Sequence, residues 1–173
     1  VIYVRGERAL AEKLARHSDV RSLVHLPEIP LNNFSVEATQ AASREGTTTW
    51  GLDTIGASRV WRELDVRGAG AVVGNQDTGV EWQHVGLMDN YRGNQGDSAV
   101  VHNYNWYDAI SMPEDTAGLR LNPCGYRTKA PCDDHNHGTH TVGTSVGKLS
   151  DFVFGVAPDA TWIACRNMDR GRG

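Results

Sequence analysis

The sequence predicts an α/β fold built on a parallel sheet, and three segments carry that prediction. Residues 71–73 (AVV) and 161–165 (TWIAC) are short, continuous apolar runs, the first preceded by the breakers Gly68 and Gly70. Unalternating runs of this kind suit strands covered on both faces, as parallel strands are. Between them, residues 137–146 are compatible with a helix. Strand, helix, strand in that order implies a right-handed parallel crossover. Ahead of the first run, residues 57–64 fit a short helix with Val60, Trp61 and Leu64 on one face, and Gly68 and Gly70 end it.

The 173 residues are 39% hydrophobic with a formal charge of -4, an ordinary globular composition. The mildly acidic balance argues against a nucleic-acid partner, which calls for clustered Lys and Arg. No run is long and apolar enough to suggest a membrane span. Residues 1–31 read as a unit of their own: the strand VIYV, a helix in ERALAEKLARHSD with Leu10 and Leu14 one turn apart, and the strand VRSLVHL closed by Pro27 and Pro30. A unit this small is marginal in water and needs a larger partner. Residues 32–49 are polar and without periodicity, which suggests an exposed, protease-accessible linker. Residues 50–173 form the second region. The chain starts at Val1 and not at Met, so the sequence is expected to be clipped at its start.

Two polar segments carry the chemistry. In AVVGNQDTGV, Asp77 stands where the first strand ends and the chain turns at Gly79. Ligands sit at the carboxyl ends of strands in open α/β sheets, so the position suits a catalytic carboxylate. It equally suits a turn Asp bonded to its own backbone, and Asp-Thr-Gly is also the triplet of aspartic proteases, whose paired carboxylates share a proton. The second segment is DDHNHGTHTVGTSVG, residues 133–147. There His137 opens the helix, preceded by polar residues able to cap it, and Gly138 and Gly143 allow a close backbone approach. His140, three positions on, need not share the task of His137. The histidines with Asp134 and His135 also suggest zinc, although HExxH is missing and no four-ligand set is apparent. Cys124 and Cys132 lie close together in a Pro- and Gly-containing stretch and favour a disulfide over two free thiols or a metal pair, while Cys165 reads as a small buried hydrophobe.

These segments resemble the subtilisin-like serine proteases, or subtilases. DTGV at 77–80 matches the family's Asp-Thr/Ser-Gly signature, and HGTHTVGT at 137–144 matches His-Gly-Thr-His-x-x-Gly-Thr, which is highly specific. The stretch GVAPDATWIACRNM at 155–168 looks like the segment leading to the family's substrate-binding strand, and WGLDTIGASRVW at 50–61 is similar to the entry of bacillopeptidase F-type members. The resemblance implies part of a three-layer subtilisin-like fold over residues 50–173 and, over 1–31, the tail of an inhibitory propeptide. It implies a secreted endopeptidase acting on protein or peptide substrates, with its own propeptide as a partner. Asp77 would orient the imidazole and His137 would serve as general base, in the Asp, His, Ser chain order of the subtilisin triad. Met168 would line the specificity cleft, and the RGRG end would begin the edge strand that pairs with substrate.

The family's nucleophile motif and its oxyanion Asn do not occur. The hydroxyls after His137 are Thr139, Thr141, Thr144, Ser145, Ser150 and Thr161, none in a Gly-Thr-Ser-Met-Ala-like context. The sequence is therefore expected to be a fragment, truncated at Gly173 and inactive alone; a degenerate, non-catalytic protease or a prodomain-like binding module is the alternative. No cofactor is firmly implied. Calcium occurs in relatives, but Gly86 stands where many of them place an aspartate ligand, and Val85 replaces a frequent Pro. Asn75 and Gln76 precede Asp77 where relatives are apolar, so both should be hydrogen-bonded. The segment from Tyr91 to Asp134 is long for the family, and its NYNWYD stretch at 103–108 reads as an insertion that packs its own aromatics.

Overall fold

The computed structural model describes residues 2, 4, 6–25, 47–96, 99–112 and 121–172. Five elements build the body of the fold: helix α3 (Ala57–Leu64), strand β1 (Val72–Asp77), strand β2 (Trp106–Asp108), helix α4 (His137–Val146) and strand β3 (Thr161–Arg166). A short helix α2 (Trp50–Thr54) precedes α3, and helix α1 (Arg8–Ala15) lies near the chain start. The sheet is three-stranded and wholly parallel in the order β1-β3-β2. Val72 pairs with Thr161 and Asp77 with Arg166, and Asp108 reaches Arg166 from the other side, so Asp77, Arg166 and Asp108 stand in one row at the carboxyl edge.

The strands alternate because only one face is covered. Trp162, Ala164 and Arg166 are buried, while Thr161, Ile163 and Cys165 on the other face are half-buried. Helix α4 supplies Val142 and Val146 to a core shared with Val80, Leu87, Tyr91, Trp106, Ala160, Trp162 and Ala164. Trp162 anchors it: the indole Nε1 donates to Leu87 O at 2.8 Å, and the ring meets Tyr91 with centroids 4.5 Å apart. A buried indole whose N–H is satisfied contributes its large apolar area without a desolvation cost. Asn90 ties the same layer together, donating from Nδ2 to Pro158 O at 2.8 Å and Ala160 O at 2.7 Å.

Several sequence expectations need correction. The first strand is not buried on both faces; Val72 is 46% exposed, because β1 is an edge strand with α4 on one side only. Helix α3 buries Ala57 and Ser58 while Val60 and Leu64 stay exposed, because Trp61 turns toward Val156 O, to which Nε1 donates at 3.0 Å, and stacks under Arg67. The stretch 103–108 is more than an insertion: Trp106–Asp108 is β2 itself, and Trp106 enters the core with Nε1 bonded to Thr128 O. Tyr104 and Tyr107, by contrast, are exposed. Cys165 is half-buried, and burial raises its thiol pKa, with the Asp108 charge adding to the rise.

Within residues 1–31, helix α1 buries no residue, and Ile2, Val4 and residues 20–25 are not in strands. A strand needs a neighbour for its backbone groups, and these segments have none among the described residues. The remaining strand positions, Pro27, Pro30 and the linker up to residue 46 lie outside the described residues, as does Gly173. Residues 169–172 do not extend as an edge strand. Arg170 and Gly171 both take positive φ, 49° and 77°, and Asp169 and Arg172 exchange backbone hydrogen bonds, which closes a tight type I′ turn.

Candidate active site

The site is assembled where β1 ends. Asp77 is the last residue of β1 and is 6% exposed; its carboxylate accepts the backbone N–H of Thr78 at 2.7 Å. This bond ties the carboxylate to the backbone of the next residue as the chain turns, so the turn reading and the site reading of Asp77 describe one residue. The chain then reverses at Gly79, whose φ of 107° is open to glycine, and a Cβ there would lie 1.8 Å from Cys132 O. Segment 132–134 thus lies directly on the turn, and Asp134 N donates to Thr78 O at 3.3 Å.

Helix α4 approaches the turn from the other side. Asn136 caps it in the left-handed conformation with φ 67°, a conformation Asn tolerates better than most residues, and His137 opens the first turn. Gly138 makes the approach feasible: a Cβ there would sit 2.0 Å from Gly79 O and 3.1 Å from Asp77 Cβ. The result is direct contact between the two predicted residues. His137 Nδ1 lies 2.8 Å from both carboxylate oxygens of Asp77. The His137 side chain is 31% exposed and that of Asp77 8%, so the carboxylate sits inside and the imidazole faces outward. With Nδ1 committed to Asp77, Nε2 is the nitrogen left for a second partner, and no described hydroxyl bonds it.

The Thr141 hydroxyl lies one turn further along α4, 3.2 Å from Asp77 Oδ2, 3.2 Å from Asn75 Oδ1 and 2.9 Å from Gly138 O. It has one proton to share among these three acceptors. Asn75 Nδ2 is buried without a partner, so Asn75 is only half satisfied, and Gln76 is exposed and has no buried group to satisfy. The prediction that both would be hydrogen-bonded is corrected accordingly. The other hydroxyls after His137 are engaged elsewhere: Thr139 with Asp133, Thr144 with His140 O, Ser145 with Thr141 O and Thr161 with Ala71 O.

Met168 is half-buried just past β3, and its N–H and that of Asn167 reach Asp77 O at 3.3 Å and 3.0 Å. Cys124 and Cys132 are joined by a disulfide, with Cα atoms 5.9 Å apart. Cys132 is in that disulfide, Asp134 pairs with Arg166, and among the described residues no group of three or more His, Cys, Asp and Glu is arranged to hold a metal. At Gly86 a Cβ would meet the Phe154 ring at 2.7 Å, so the missing aspartate has a packing reason.

Sequence reading missed two features beside the pair. The first is a buried ionic network around Arg166, which pairs with Asp108 through Nη2 to Oδ2 at 2.6 Å and Nε to Oδ1 at 3.1 Å. Arg166 also reaches Asp134 Oδ2 at 3.4 Å, Asn122 Oδ1 at 3.1 Å and Gly125 O at 2.7 Å. Burial raises the Asp108 pKa, but the bonds from Arg166 and from the backbone N–H groups of Thr128 and Ile110 outweigh it and leave the carboxyl below the usual range. At Asp134 burial wins over the Asn122 amide and the Arg166 charge, and its pKa is raised. The second missed feature is Asp133, bonded to both sides of the turn–helix contact.

Residues 68–173 match the sequence model of the subtilase family, peptidase S8. The chain belongs to the subtilase family. It is 32% identical over 181 residues to Bacillopeptidase F of Bacillus subtilis (strain 168), across 99% of this chain and 12% of that protein. It is also 34% identical over 117 residues to Minor extracellular protease Vpr of the same organism, across 68% of this chain and 12% of that protein. The chain therefore spans only 12% of the length of either curated relative. Its parallel three-stranded sheet with α4 packed on one face is part of a subtilisin-like α/β fold, as the sequence predicts.

Proposed function

We propose that this subtilase chain carries the acid–base half of a secreted serine endopeptidase, with Asp77 and His137 as two members of a catalytic triad. The observation that carries the reading is the bond of His137 Nδ1 to Asp77, which leaves Nε2 free to accept a proton. A serine hydroxyl is a weak nucleophile at neutral pH and attacks a peptide carbonyl only as a neighbouring base removes its proton. Here Nε2 of His137 would take that proton and return it to the leaving amine. Asp77 would hold the Nδ1–H tautomer and stabilise the imidazolium, and its burial strengthens that interaction.

The serine and the oxyanion donors are assigned to a segment other than residues 1–173, since no described hydroxyl bonds His137 Nε2 and none after His137 stands in a Gly-Thr-Ser-Met-Ala-like motif. Residues 1–31 are assigned to an inhibitory propeptide, 32–49 to the linker and 50–173 to the first part of the catalytic domain. Substrates are proteins or peptides, Met168 lines the cleft, and the word extracellular in the name of one relative supports secretion. Calcium is not assigned, because Gly86 offers no side-chain ligand.

A fluorophosphonate probe with a fluorogenic peptide tests this. Residues 1–173 alone should neither label nor hydrolyse, whereas a longer form bearing the serine segment should do both and lose hydrolysis on His137→Ala or Asp77→Ala. Hydrolysis that survives His137→Ala would overturn the assignment, and so would stoichiometric labelling of residues 1–173.

A further inference from the structure

We propose that Asp133 is a positioning residue for the Asp77–His137 pair, acting through the hydroxyls of Thr78 and Thr139. Its carboxylate accepts five hydrogen bonds. Oδ1 receives Thr78 Oγ1 at 2.7 Å, His135 N at 3.0 Å and Asn136 N at 2.8 Å. Oδ2 receives Thr139 N at 2.8 Å and the Thr139 hydroxyl. Asp133 thereby satisfies backbone donors at the start of α4 that the helix itself leaves open, and places negative charge at the positive end of the helix.

Both hydroxyls that donate to Asp133 also accept across the turn–helix contact. Thr78 Oγ1 accepts Gly138 N at 3.0 Å, and Thr139 Oγ1 accepts Glu81 N at 2.9 Å. Thr78 follows Asp77, and Gly138 follows His137. Two straps therefore run between the 77–81 turn and the first turn of α4, one in each direction, and both end on one carboxylate. A hydroxyl has one proton and two lone pairs, so with its proton directed to Asp133 each threonine is oriented to present a lone pair to the facing N–H. An acceptor-only carboxylate orients both threonines at once.

The amide of Asn cannot replace it. One orientation turns its NH2 toward the N–H groups of His135 and Asn136, and the other toward the N–H of Thr139. Either way donor faces donor. Asp133→Asn, nearly identical in shape, should therefore loosen the straps without removing the disulfide or the Trp162 core.

That the positioned pair is catalytic rests on the proposed function; that Asp133 positions it does not, and the experiment reads the pair without turnover. In the 173-residue chain labelled with 15N-histidine, NMR follows solvent exchange of the His137 Nδ1 proton held by Asp77. Exchange in Asp133→Asn should be about tenfold faster, the equivalent of one charge-assisted hydrogen bond, with the near-UV circular dichroism of the core unchanged. Thr139→Val, which cuts one strap and keeps the Asp133 charge, should also speed exchange, by less. In a serine-bearing form, Asp133→Asn should lower kcat about tenfold to a hundredfold with KM nearly constant, as a misaligned catalytic group does.

A folded Asp133→Asn chain whose His137 proton exchanges at the wild-type rate would overturn the proposal. If Asp133→Asn does not fold, unchanged exchange in Thr139→Val overturns it and faster exchange supports it. Absence of hydrolysis from every longer form would remove the catalytic reading and leave the exchange result standing.

Discussion

Arg166→Met isolates the buried ionic network. The Arg166 and Asp134 side chains are wholly inaccessible and that of Asp108 is 1% exposed, so removing the guanidinium leaves two carboxylates in the interior without their cation. Breaking a buried pair from one side costs about 3 to 5 kcal/mol, because the surviving charge stays desolvated. Against a total of about 5 to 15 kcal/mol for a natural domain this is a large share. At about 2 to 4 °C per kcal/mol for a chain of this size, the melting temperature should fall by about 6 to 20 °C.

The pH dependence separates lost charge pairing from lost packing. In the wild type the Asp108 pKa is depressed on folding, so its stabilisation is present above the ordinary carboxylate range and is lost as pH falls through the folded value. In Arg166→Met, burial without the cation should raise both carboxyls above their unfolded values, and stability should increase as pH falls toward 5 or so. Urea unfolding at several pH values between about 5 and about 8 reads the slope directly. A loss under about 1 kcal/mol, or a pH slope unchanged from that of the wild type, would refute the claim that Arg166 is held by charge and not by shape.

Other perturbations reach neighbouring parts. Cys124→Ser with Cys132→Ser should cost about 2 to 3 kcal/mol by opening a short loop, and reductant should lower the wild-type melting temperature but not that of the double variant. Gly138→Ala puts a methyl 2.0 Å from Gly79 O and should both destabilise by about 1 to 3 kcal/mol and release the His137 Nδ1 proton, seen in the same NMR exchange measurement. His102 accepts from or donates to Tyr91 Oη at 3.0 Å, and burial lowers its pKa below 6.5. The unfolded chain then takes up the proton first, so stability is full above 6.5 and falls as pH drops below it. His102→Phe should flatten that part of the urea-midpoint profile.

What the sequence made legible is what local rules determine. The bounds of α3 and α4 could be read from glycine punctuation and helix-compatible runs, and Asp77 and His137 from short motifs whose residues are neighbours in the chain. The Arg166 network could not be read so. Its members Asp108, Asn122, Asp134 and Arg166 come from four separate segments, and each alone looks like a solvated polar residue. Strand β2 is three residues in a polar stretch, and its pairing with β3 is a tertiary fact with no local signature. Residues 169–172 misled for a different reason: only Gly171 suits the positive φ of a type I′ turn, Arg170 gives no signal of one, and the apolar run before it favours reading the strand onward.

The dyad geometry is imposed by backbone contact before any side-chain chemistry. Gly79 lets the Cys132 carbonyl in, Gly138 lets the Gly79 carbonyl in, and both contacts are too close for any other residue. With the backbones at that separation, the Asp77 carboxylate and the His137 ring lie within hydrogen-bond reach, and the threonine straps select the bonded arrangement. A disulfide holds Cys132 from one side, and Asp134, its neighbour but one, is buried against Arg166 on the strand that pairs with Asp77. The segment carrying Asp133 is thus fixed at both ends before it meets α4. This is why a single carboxylate can serve as the common terminus of both straps: its own position is set by packing and charge that do not depend on the pair it aligns.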